Sequence, residues 1–141
     1  MANPGAASSS PIHPQLLGSN QAIRLLAVAI GVNLSSTGDT VIPIINSSNW
    51  SVYQTIVTNA STSLATASGT LYSAASKGGV AYMTANTALS GNTASTVVNT
   101  FSSQNTLTQT GANLYFNVAT AQGSAVTADI YVYGYDFSVQ S

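Results

Sequence analysis

From Gln21 onward the sequence breaks into short runs of alternating or β-branched residues, each closed by a cluster of Gly, Asn, Ser or Asp. Successive side chains of a strand point to opposite faces, so such runs describe half-buried strands, and a closely spaced series of them describes a two-sheet sandwich or a barrel. Residues 113–118 show it most clearly, with Leu114, Phe116 and Val118 on one face and Asn113, Tyr115 and Asn117 on the other. Residues 127–137 set Ile130 and Val132 against Tyr131, Tyr133 and Tyr135, and residues 50–58 set Val52, Gln54 and Ile56 against Tyr53, Thr55 and Val57. Residues 23–34 are long enough for a helix but pass straight into the turn-rich segment Ser35-Ser36-Thr37-Gly38-Asp39, which favours a strand. Pro43, among Val41, Ile42, Ile44 and Ile45, cannot donate a ladder hydrogen bond and marks an edge strand or a bulge. Residues 67–84 read as a hairpin turning at Ser76-Lys77-Gly78-Gly79, and residues 96–101 as a short strand after a polar loop. The expected fold is all-β, an antiparallel β-sandwich or jelly-roll-like domain of about eight strands over residues 21–141.

Residues 1–20 differ from the rest. Pro4, Pro11 and Pro14 fall among Gly5, Ala6, Ser8, Ser9 and Ser10, a mixture that favours extended backbone over helix or ladder. The expectation is an extended N-terminal arm, either loose or ordered against a neighbouring subunit through Ile12, Leu16 and Leu17. The segment has no basic stretch followed by an apolar one, so it does not read as a secretory signal.

Of 141 residues only two are basic and three acidic, and 21 Ser, 17 Thr, 12 Asn and 20 Ala stand where Lys, Glu and Arg usually coat a surface. Arg24 and Lys77 alone cannot neutralise a run of phosphates, which argues against nucleic acid and anionic membrane as partners. The best apolar run, residues 22–32, is too short to span a bilayer and contains Arg24. The absence of cysteine removes disulfides, thiolate metal sites and cysteine nucleophiles.

Candidates for chemistry are few. His13, the one histidine, lies between Pro11 and Pro14 in the arm, away from any element that would hold a base in place. Asp39, Asp129 and Asp136 are the only carboxylates, and the odd spacing of the last two sends them to opposite faces of a regular strand. Asp39 is expected to cap its own turn rather than hold a calcium ion, and Asp129 or Asp136 to pair with Arg24 or Lys77. No cofactor, metal or catalytic set is expected. Tyr131, Tyr133 and Tyr135, followed by Phe137, offer stiff contact area with a hydrogen-bonding tip. They read either as cross-strand packing or as a contact face, and as a subunit interface if Ile130 and Val132 face the core.

Residues 31–44 (GVNLSSTGDTVIPI), 56–61 (IVTNAS), 69–75 (GTLYSAA), 114–116 (LYF) and 120–134 (TAQGSAVTADIYVYG) together resemble small virion-associated proteins encoded near the head genes of tailed phages. The resemblance spans about residues 22–137 and omits the arm. It implies a capsid decoration (cement) protein, with the major capsid protein as partner, a homotrimer or other oligomer as its form, and the virion surface as its place after synthesis in the host cytoplasm. The low charge fits, since copies crowded on a shell repel one another little. The alternative is a glycan- or receptor-binding module of a head or tail fibre, with Trp50 and the tyrosines stacking on sugars.

Overall fold

The computed structural model describes residues 23–45, 49–93, 97–102 and 108–137; the expected arm, with Ile12, His13, Leu16 and Leu17, lies outside them. Among the described residues there are nine strands and no helix: β1 (Arg24–Asn33), β2 (Gly38–Pro43), β3 (Trp50–Thr58), β4 (Ser68–Ala74), β5 (Gly78–Ala81), β6 (Thr87–Ala88), β7 (Val98–Phe101), β8 (Asn113–Thr120) and β9 (Thr127–Asp136). The extra strand relative to the expected eight is β6, two residues from the polar loop that pair with the start of β4.

The topology is that of one long hairpin folded over on itself. β1 pairs with β9, β2 with β8, β3 with β7 and β4 with β5, all antiparallel, so the chain runs out through β4 and returns from β5. Cross-pairing of β9 with β3 and of β8 with β4 then gathers these ribbons into sheet A, β1-β9-β3-β7, and sheet B, β2-β8-β4-β5, with β6 on β4. This is the jelly roll, a β-sandwich in which consecutive strands pass back and forth between sheets. The hinge of the folded hairpin is the turn expected at Ser76-Lys77, where both residues adopt the left-handed conformation (φ 57° and 61°). β2 is an edge strand and ends at Pro43, where the missing N–H breaks no ladder.

The alternating residues of β8 and β9 fill the space between the sheets: Leu114, Phe116, Val118, Ile130 and Val132 are all buried, with Leu26, Ile42, Trp50, Val57, Leu71 and Leu89 around them. In β3 the expected alternation fails. A bulge between Val52 and Gln54 changes the phase, so Trp50 and Val52 face inward before it, Thr55 and Val57 face inward after it, and Tyr53 is carried to the outside. Asp39 does not cap its own turn. Its Oδ2 accepts from the Ser76 N–H (2.7 Å) and its Oδ1 from Asn117 Nδ2 (2.7 Å), so it ties the β4–β5 turn across β8 to β2.

Among the described residues, buried Thr55 Oγ1, Ser68 Oγ, Asn92 Oδ1 and the Tyr82 hydroxyl have no hydrogen-bond partner, and Tyr82 is the largest of these side chains. Tyr82 is enclosed beside Trp50, ring centroids 6.4 Å apart. Burial pushes its phenol above the ordinary value near 10, because the phenolate would lose its hydration. Tyr82→Phe is therefore expected to stabilise the domain by about 1 kcal/mol at neutral pH. The raised value also sets a sign: the stability due to this group is fully present below about pH 10, where folded and unfolded chains are both protonated, and is lost as pH rises further and only the unfolded chain releases the proton. Urea denaturation across the alkaline range checks both statements, since the wild type should lose stability there faster than Tyr82→Phe.

Candidate functional site

The site is built on β9, whose strict alternation needs no bulge of its own. Ala128, Ile130, Val132, Gly134 and Asp136 face inward and are buried, while Asp129, Tyr131, Tyr133 and Tyr135 face outward and are half-buried. Because β9 lies between β1 and β3, Tyr131 and Tyr133 are flanked on both sides. Tyr131 sits between Val28 and Ile56, and Tyr133 between Leu25 and Gln54. β7 extends the two rows with Asn99 and Phe101, and Gln54 Nε2 donates to Asn99 Oδ1 (2.8 Å).

The bulge in β3 supplies the rest. Tyr53, turned outward by it, packs edge-on against Phe101 (5.5 Å between ring centroids) and against Tyr135 (6.1 Å), and Tyr135 stacks on Phe137 (6.0 Å, interplanar angle 22°). Four rings thus form a continuous file across the outer face of sheet A, in the edge-on and offset arrangements that aromatic quadrupoles favour. Its margins carry apolar side chains that are mostly in water: Ile30 on β1 is 67% exposed and Phe101 on β7 59%. Sequence reasoning singled out Tyr131, Tyr133 and Tyr135 but missed Tyr53 and Phe101, since apolar residues in both sets of β3 leave open which set turns outward. The bulge that decides this leaves no mark in the alternation of β3.

Charge is confined to the ends of this face. Asp129, at one end, accepts from the Gly31 N–H (2.9 Å) and from Asn59 Nδ2 (3.0 Å), closing the irregular part of β1. At the other end Asp136, buried on the inner side, pairs with Arg24 (Nη1 to Oδ2, 2.9 Å), as one of the expected pairings has it. Asp39 and Lys77 belong to sheet B and its turn.

The outer face of sheet B is different, because the chain itself covers the part over β4, although Val41 on the β2 edge is exposed. Besides the Asp39 tie, Thr70 Oγ1 donates to the Thr84 carbonyl (3.0 Å) and accepts from the Asn86 N–H (2.9 Å), fixing the β5–β6 connection there. Tyr72 and Asn117, both outward-facing on that sheet, are only 8% exposed.

The residues with chemical potential do not converge. The three carboxylates occupy sheet B and opposite faces of β9, and among the described residues no three His, Cys, Asp or Glu side chains come together. Both Asp39 oxygens receive N–H donors, an arrangement that a cation would have to displace. Trp50, considered above as a sugar platform, is fully buried, and its indole Nε1 donates to the Gly111 carbonyl (2.9 Å), so it presents no ring to a ligand. What the structure offers is an aromatic surface, charged only at its ends, on one side of a jelly roll. Neither a protein-family model nor a curated protein matches the sequence.

Proposed function

We propose that the protein is a non-enzymatic structural component of a phage virion, a decoration or cement protein that binds the outside of the capsid and stabilises it. The observation that carries this reading is the outer face of sheet A, where a file of aromatic rings and exposed aliphatic side chains lies with charge only at its ends, while part of the opposite face is closed by the chain's own turns. Such a surface gains free energy when it is covered, at about 25 cal/mol per Å² before ordering costs are subtracted. A shell of many copies provides the cover, from the major capsid protein or from a neighbouring copy, and a homotrimer is the oligomer the sequence resemblance favours.

The test is reconstitution. Purified protein added to expanded heads that lack it should co-sediment with them and raise their resistance to heat or chelators. Heads that bind none of it, or bind it and gain no resistance, would overturn the reading. Binding to cells or polysaccharide in the absence of heads would put a receptor- or glycan-binding role in its place.

A further inference from the structure

We infer that the aromatic face of sheet A is covered by another copy of this chain. The inference deepens the shell reading, resting on it only for the many copies a shell supplies; the contact itself needs no capsid.

Charge selects the partner. Between Asp129 and the Arg24–Asp136 pair, the rows Val28–Tyr131–Ile56–Asn99 and Leu25–Tyr133–Gln54–Phe101 contain no ionised side chain to receive a charge. A partner surface of ordinary composition, about one residue in four of it charged, would have to strip water from some of those charges without any counter-charge to meet them. This chain is the partner that avoids that cost, because it carries two basic and three acidic residues in all, and Asp39, Asp129, Arg24 and Asp136 are already bonded within their own domain. A net charge of −1 also leaves copies with little long-range repulsion.

Size agrees. Four strands about 4.8 Å apart, of ten, ten, nine and four residues rising about 3.3 Å each, make a face of about 500 Å² before the relief of the side chains is counted. That is more than half of the roughly 800 Å² each partner gives to a standard protein–protein interface. The tyrosine hydroxyls, Gln54 and Asn99 supply hydrogen bonds that do not depend on charge, and Tyr is among the residues that concentrate binding energy.

Sedimentation equilibrium of the full chain alone, across the micromolar range, tests this. The wild type should sediment as a multiple of 14.3 kDa. Ile30→Lys and Phe101→Lys, at opposite margins of the face and both largely solvent-exposed in the single chain, should each weaken association about tenfold or more by adding a charge that association would have to strip of water. Ser124→Lys, in the exposed β8–β9 turn, adds the same charge elsewhere and should leave association unchanged. Unaltered Trp50 emission shows that each variant is folded; should one fail that check, the other margin carries the test. A monomeric wild type overturns the inference, as does an oligomer that survives both margin substitutions or one that Ser124→Lys dissociates equally. Because no heads are present, these outcomes are independent of whether the protein binds a capsid.

Discussion

Gly134→Val leaves the domain unable to hold its fold, with an expected loss of about 4 kcal/mol or more out of the 5–15 kcal/mol typical of a domain. The reason is the space opposite this glycine. It lies on the inward face of β9, paired with Val52 of β3 and Arg24 of β1, at the points where both neighbours depart from regular register. A Cβ placed there would run into the backbone carbonyl of Ser51, and would lie 2.7 Å from Leu26 Cδ1. Leu26 could adopt another rotamer, but the carbonyl belongs to a strand held by β7 and β9 and cannot retreat without breaking the sheet. Even Gly134→Ala meets this obstacle. Gly123 is the control, since nothing stands within 4 Å of a Cβ there and only its left-handed backbone (φ 87°) opposes the change, for about 1 kcal/mol in Gly123→Ala. Expression as soluble protein, followed by urea denaturation monitored by circular dichroism, separates the two; equal losses at both positions would show that steric contact with Ser51 does not matter.

Trp50→Ala is expected to cost about 3–5 kcal/mol, the range for emptying a buried aromatic site. Trp50 starts β3, and its backbone exchanges hydrogen bonds with Gln109 (2.9 and 2.7 Å) while the indole donates to the Gly111 carbonyl. The substitution therefore opens a cavity beside Tyr82 and also releases the approach to β8 from the body of the sandwich. Trp50→Phe keeps most of the volume and gives up the indole hydrogen bond, for about 1–2 kcal/mol. Thermal denaturation by circular dichroism should rank the chains wild type, Trp50→Phe, Trp50→Ala. In the wild type the tryptophan emission should be blue-shifted and indifferent to added sugars, which a solvent-facing stacking platform would not be.

The sandwich was legible because its strands follow elementary rules. The inward set Leu114, Phe116, Val118, Ile130 and Val132, the Pro43 edge, the Ser76-Lys77 hinge and the opposed faces of Asp129 and Asp136 all follow from strand geometry and turn chemistry, and each is present. What the residues could not disclose depends on irregularity or on distant partners. The β3 bulge is invisible in a run where both parities contain apolar residues, so the outward placement of Tyr53 and the full aromatic file were missed. Asp39 looked like a turn residue because Gly38 and Thr40 surround it, whereas its partners come from positions 76 and 117. Trp50 carries a label common to sugar platforms and to cores, and only the position of Gly111 decides between them. The tyrosines were found because alternation in β9 is unbroken; the two extra rings came from other strands.

The pairing of β1 with β9 also has a consequence for synthesis. Arg24 meets Gly134, and every rung of that ladder joins one end of the described chain to the other. Within sheet A, β3 thus has only β7 beside it, and β1 has no partner, until β9 has left the ribosome. Ladders that wait for such distant segments form slowly and leave sticky intermediates exposed. A chain with almost no charge has little repulsion to hold those intermediates apart, so the wait for β9 is the step at which it is most prone to aggregate.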